Sequence, residues 1–514
     1  MRVKNAFRNS AFSVFSQVIF ILVGFFSQRT MNLRMGEELV GMNSVISNII
    51  ALLSVSELGI STAVIFHLYG ALAEGDEERI SSLMNMYRRA YYVFATVITL
   101  LGLLVLPFVH LFLKENSFSL GYVRMIYGLW LLRTVLSYLL SYKRSILIAD
   151  QKEFIVTIGV LVANVLNYSS IIVILELFQN YQLALGLNIL IEVVINLVIC
   201  GVVDRRYPYL KTFRHAPLEK GMVRRVVGDI KNIFATKLSS KLLISTDSLI
   251  MSGFISVAMV GLYSNYCMIT RSLISIMEAL SNALQPTVGS MFMEQDHEKE
   301  HGVLQQITFI FFLFASFAST SLLALMTPFV ADIWLSREYM LNAWIVLGCV
   351  VNFFMYTMMQ PLNMMMGVTG LFRKERNISV LAAGVNLVIS LALVTPLGVI
   401  GVQLGTLAAH LVQIILRMST LVRQYMGRRC GTYLAQWLQY ILLTVVETGG
   451  VYYICSRIYV PGSLGHFVLL GIICVVVPNG LNLLLYHRTW RFRSIVGMLR
   501  QMLKHGMETS EEKE

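Results

Sequence analysis

The chain has 514 residues, of which 56% are hydrophobic and only 14% charged, with a mean hydropathy of +0.68. A soluble protein of that length would divide into several domains and need far more charge to cover them. The net charge of +12 is dispersed over many short loops, which excludes nucleic acid as the partner and points to loops facing anionic lipid.

Taken in chain order, the apolar stretches give about fourteen predicted spans, each long enough to cross a hydrocarbon core about 30 Å thick. Six run near 11–31, 40–66, 90–112, 122–142, 154–175 and 182–203. Eight more run near 233–254, 260–287, 303–326, 341–366, 378–396, 399–421, 437–459 and 464–486. The expected fold class is all-α integral membrane. Arg2, Lys4 and Arg8 precede an apolar run too long for a signal h-region, so no cleavable signal peptide is expected. The six cysteines form no CxxC pair, and neither a metal nor a disulfide framework is expected of them.

With the N-terminus inside, one set of loops collects Arg79, Arg88, Arg89, Lys143, Arg144, Arg373, Lys374, Arg376, Arg423, Arg428 and Arg429. The central loop adds eight more basic residues, from Arg205 to Lys231. This positive-inside pattern makes both termini cytoplasmic. The expected domains are an N-terminal lobe at 1–203, a basic linker at 204–232 and a C-terminal lobe at 233–422. Two further spans follow in 423–486, then a cytoplasmic tail at 487–514, whose basic Trp490–His505 segment is expected on the inner leaflet. A weak internal repeat supports two lobes. An offset of 220 residues places Leu39-Val40-Gly41 on Met259-Val260-Gly261, Ser44 on Ser264, and Glu74 and Glu78 on Glu294 and Glu298. Six spans per half keep the halves in one orientation, as a parallel repeat requires.

Ionisable residues inside spans are costly and are functional candidates by default. At 1.5 Å of rise per residue, Arg133 and Arg271 fall near mid-membrane, and Lys241 about two turns in, with Lys237 on the same helical face. Together they suggest a cationic cavity. Glu278 shares a face with Arg271, and Asp247 flanks the Lys237/Lys241 face; an intramembrane salt bridge is the alternative for these. Glu57, Glu192, Glu447 and His410 are candidates for a coupling ion or for structural hydrogen bonding. Arg29, Arg124 and Arg417 lie near span ends, where snorkelling to headgroups accounts for them. Kinks are expected at Gln285-Pro286 and Gln360-Pro361. The run Met358-Met359 and Met364-Met365-Met366 reads as packing rather than metal binding.

The segment Ser56-Glu57-Leu58-Gly59-Ile60-Ser61-Thr62-Ala63, continuing through His67-Leu68-Tyr69 to Ala73-Glu74-Gly75-Asp76-Glu77-Glu78, resembles the second-helix signature of bacterial polysaccharide-transporter proteins. These are the Wzx-type flippases of the multidrug/oligosaccharidyl-lipid/polysaccharide (MOP) superfamily. Ser245-Thr246-Asp247 followed by Val260-Gly261-Leu262-Tyr263-Ser264-Asn265-Tyr266 is similar to a second family segment. The resemblance covers the first twelve spans, and the last two by topology. It implies a V-shaped transporter of two six-helix lobes plus two C-terminal helices, working by alternating access in the bacterial cytoplasmic membrane.

The implied cargo is an oligosaccharide on undecaprenyl diphosphate, carried from the inner to the outer leaflet. Arg133, Lys241 and Arg271 match the family's cavity cations, with Lys237 beside them. The last two spans would flank a groove for the polyprenyl tail. Membrane lipids and other polysaccharide-assembly proteins are the further partners implied. No cofactor is expected, and no Walker motif is present to make ATP the direct energy source. Three rival readings remain. A multidrug cation exporter of the same superfamily would need an acidic cavity. A membrane polysaccharide polymerase or ligase would need a large outer loop. A scaffold would have little use for mid-membrane arginines.

Overall fold

Glycine and short polar residues punctuate the helices. The computed structural model describes residues 2–54, 60–213, 245–292, 297–494 and 497. Helix α1 (Arg2–Leu53) is broken at Gly36, whose φ of 80° and ψ of 170° lie in a region open to glycine and closed to most side chains. The break falls between the first two expected spans. Helix α2 (Ile60–Glu74) ends at Gly75, φ +69°, and Asp76 then caps α3 (Glu77–Val105) by accepting the Arg79 amide at 2.9 Å. Side-chain caps also start α4 (Leu120–Ser141) at Ser119 and α7 (Tyr181–Arg206) at Asn180. Between them lie the short α5 (Arg144–Ala149) and α6 (Glu153–Phe178).

The next helical stretch, α8, is described over 245–254. It is followed by α9 (Val257–Phe292), α10 (His297–Pro328), α11 (Ala343–Val368) and α12 (Phe372–Leu397). Gly398, φ +59°, separates α12 from α13 (Val399–Met418); α14 (Cys430–Ile458) and α15 (Leu464–Tyr486) follow, with a further helical turn at 490–494. No strand occurs among the described residues.

Ten of these helical segments are long and apolar enough to cross a membrane. They match ten of the fourteen expected spans. The expected spans at 11–31 and 40–66 fall mostly on α1 and that at 260–287 on α9. The first part of 233–254 lies outside the described residues. Large apolar side chains such as Leu104, Leu177, Val388, Leu442 and Leu484 are exposed on the helices. Faces of that kind are stable in lipid and not in water, so the chain is a multi-pass membrane protein.

By internal contacts the chain forms two compact units, Met1–Asn265 with Ser379–Gly405, and Tyr266–Ile378 with Thr406–Glu514. In the first unit, α1 packs along α6, α6 along α7 and α7 along α4, while α2 and α5 pack together. Asn265 receives hydrogen bonds from Gln28 and Asn32 of α1, both at 2.9 Å. One turn before Asn265, Gly261 meets α1 with no side chain between the backbones. A Cβ on Gly41 would lie 1.9 Å from the Val257 carbonyl oxygen, and one on Gly261 would lie 1.9 Å from that of Glu37. Gly41 with Gly261, and Glu37 with Val257, are pairs related by the offset of 220 residues, so the contact is reciprocal under that offset.

In the second unit, α10 is the hub, with α11, α14 and α15 packed around it. Phe312 of α10 stacks on Tyr440 of α14 with centroids 4.0 Å apart, and Tyr486 of α15 closes on both rings. Met358, Met359, Met364, Met365 and Met366 are buried in the same core, where flexible thioethers fill irregular gaps. Helix α11 continues through Pro361.

Gly41→Ala is expected to destabilise the protein by about 1–3 kcal/mol, because the backbones must separate. Gly128→Ala is the control, since nothing lies within 4 Å of its added Cβ. It should be neutral or stabilising by about 0.5–1 kcal/mol. Apparent melting temperatures of the two purified variants in one detergent check this.

Candidate functional site

A polar stripe runs along α4 at helical spacing: Trp130, Arg133, Thr134, Ser137, Tyr138 and Ser141. It forms one wall of a cavity of about 600 Å³ in the first unit. Tyr87 and Tyr91 of α3, Arg144 of α5 and Glu192 of α7 form the others. The two α3 tyrosines hydrogen-bond through their hydroxyls at 2.9 Å, and Tyr91 packs on Tyr138.

Arg133 Nε donates to Glu192 Oε2 at 2.6 Å, with both side chains about a quarter exposed. The guanidinium also lies over the Trp130 ring, 5.3 Å from its centroid. Its two terminal nitrogens have no partner among the described residues and remain free to bind an anion. Trp130 is fixed in turn by its indole N–H, which donates to Asn43 Oδ1 at 2.9 Å; Tyr181 donates to the same oxygen at 2.5 Å. Arg144 donates from one terminal nitrogen to Asn196 Oδ1 at 2.5 Å, while its buried Nε has no partner. Burial holds the Arg144 pKa below the usual guanidinium value, and the nearby Glu192 carboxylate opposes that shift. The cavity therefore carries two guanidinia against one carboxylate.

The other sequence candidates are distributed elsewhere. Arg271 is exposed on α9 and has no ion pair among the described residues. Glu278, seven residues on, accepts a 2.6 Å hydrogen bond from Tyr356 of α11. The Tyr356 ring packs edge-on against His410 of α13, at 5.8 Å between centroids, so the structure gathers Glu278, Tyr356 and His410. Asp247 accepts from Asn386 of α12 at 3.4 Å. Glu447 is buried between α10, α14 and α15. Glu57, Lys237 and Lys241 lie outside the described residues.

Two arginines differ from their expected settings. Arg144, counted as a loop cation by its sequence position, lines the cavity, because α5 turns back against α2. Arg417, expected to reach headgroups, is 4% exposed and binds Glu375 of α12 through two nitrogens, at 2.6 and 2.9 Å. Its carboxylate partner lies 42 residues away in sequence, which is why position along its own span does not show the pairing. The Thr134, Ser137, Tyr138 and Ser141 stripe also escaped depth-based selection, which weighs charge alone. Its spacing of three and four residues was the available signal.

No protein-family model matches the chain, and no curated protein does. Solved structures do match. The lipid II flippase MurJ, in an inward closed conformation, aligns over 93% of this chain and 98% of its own, at TM-score 0.69 and 14% identity. A multidrug resistance MATE family transporter of the MOP superfamily, inward-facing, aligns over 78% and 92%, at 0.63 and 14%. A MOP superfamily transporter from Pyrococcus furiosus, described as having a binding pocket of reverse polarity, aligns over 83% and 96%, at 0.58 and 15%. At these identities the likeness shows the fold alone, the one that these solved transporters share.

Proposed function

We propose that the protein is a flippase that carries an undecaprenyl-diphosphate-linked oligosaccharide from the inner to the outer leaflet by alternating access. The observation that carries this reading is the Arg133 guanidinium, held at its Nε by Glu192 and open at its terminal nitrogens. Arg133 and Arg144 outnumber Glu192, and guanidinia suit a diphosphate through paired, charge-assisted hydrogen bonds. Tyrosines and hydroxyls around them offer rings and donors that suit a glycan. The fold shared with a lipid II flippase supports a lipid-linked cargo.

The same proposal includes lobes at 1–203 and 233–422, cytoplasmic termini in a bacterial inner membrane, and a polyprenyl groove beside α14 and α15. Lys237, Lys241 and Arg271 are its further cationic candidates. A second reading, export of a multidrug cation, is favoured by one observation. Glu192 places a carboxylate in the cavity, and MATE transporters share the fold.

Deleting the gene should trap labelled lipid-linked oligosaccharide on the inner leaflet; normal outward appearance of every such glycolipid refutes the flippase reading. The double variant Arg133→Gln/Glu192→Gln removes the pair without stranding a charge. Losing one charge-assisted contact of about 1.5–3 kcal/mol should slow that outward appearance about 10- to 100-fold at unchanged protein level. Glu192→Gln alone separates the two readings. It keeps the guanidinium and should leave most glycolipid export intact, whereas a cation exporter would lose its drug efflux.

A further inference from the structure

Glu447 lies well inside α14, 2% exposed, with no cationic partner among the described residues. Ser316 Oγ of α10 and Asn482 Nδ2 of α15 both donate to its Oε2, the latter at 3.4 Å. Its Oε1 is buried without a hydrogen-bond partner, and so is Asn482 Oδ1. Each of these two buried acceptors lacks a donor. A carboxylate cannot supply it and a carboxylic acid can, since protonation turns one oxygen into a donor. Burying the acid also avoids burying an unpaired charge.

The groups facing Glu447 are all neutral. On α14 they are Thr444, one turn before it, and the adjacent Thr448, which contacts Thr320 of α10 at 3.0 Å. On α15, Tyr486 follows Asn482 by one turn. Helix α11, on another side of α10, contains no charged residue. Arg491 donates to the Tyr440 hydroxyl at 3.2 Å, two turns along α14 from Glu447. Gln436 donates to the same oxygen at 2.7 Å, so the Tyr440 hydrogen points away from both donors.

From Glu447 toward Arg491, and past it along α14, the bundle holds more buried polar atoms without a partner among the described residues. They are the hydroxyls of Tyr486 and Tyr433, Trp437 Nε1 and Arg491 Nε. Buried polar groups are paired almost everywhere in proteins, by other groups or by ordered water. A row of unpaired ones within a single three-helix bundle marks a hydrated path.

We propose that Glu447 is a proton-binding site, reached from the Arg491 end of the α10/α14/α15 bundle along a hydrated column of tyrosine hydroxyls. The step is a reversible protonation: a proton from solvent forms an O–H bond on the carboxyl and leaves the same way, with no other bond changed. The inference does not depend on the cargo.

Infrared difference spectra of the purified full chain in lipid nanodiscs, wild type minus Glu447→Gln, test it. The expected result is a carboxylic C=O band at neutral pH that is absent from the variant and shifts on transfer to D2O. Absence of the band in wild type overturns the proton site, and a band insensitive to D2O overturns the hydrated column. Tyr440→Phe and Tyr486→Phe together should slow the D2O shift at least tenfold, and unchanged exchange rejects that route. Should Glu447→Gln fail to fold, Glu447→Asp keeps the assignment open to test by moving the band instead of removing it.

Discussion

Arg133 and Glu192 are bonded at 2.6 Å, with both side chains about a quarter exposed, and much of the first unit is arranged to hold that pair. Tyr181 and Trp130 both donate to Asn43, the Trp130 ring lies under Arg133, and Arg133 reaches Glu192. Asn196 donates to the Glu192 backbone carbonyl and accepts from Arg144. One polar line thus joins α1, α4, α7 and α5. In a medium of low dielectric each link strengthens the others, and loss of one leaves its neighbour exposed to the full desolvation cost. The free guanidinium nitrogens are held in place by the same line, so what binds and what stabilises share atoms.

The second unit handles charge differently. Glu278 is met by a phenol and Glu447 by an alcohol and an amide, while Arg417 has a two-nitrogen carboxylate partner. Neutral donors leave a carboxyl free to change protonation state without stranding a cation. A paired guanidinium permits no such change.

Much of the helical plan was legible in the sequence, because span length and polar caps are local properties. Asp76, Ser119 and Asn180 mark helix starts whose caps the structure contains. Depth counting found Arg133, Glu192 and Glu447. It could not pair Arg133 with Glu192, which are 59 residues apart, nor Arg417 with Glu375, because partnership depends on which helices pack. Arg144 was passed over as a site residue for the same reason: a residue two positions past an expected span end reads as loop until a short helix sets it against a cavity. The offset of 220 residues was faint among apolar matches, yet it superposes the two glycines that touch.

That glycine contact has a mechanical consequence. Where Gly41 faces Gly261, the separation of α1 and α9 is set by backbone carbonyls alone. Interlocked side chains make an interface bistable, because rotamers must unlatch before helices slide or roll. The bare backbone contact itself has no rotamers to unlatch and acts as a smooth bearing, while the latch lies one turn on, where Gln28 and Asn32 bond Asn265. Since each helix supplies one glycine, a side chain gained by either would roughen the bearing for both.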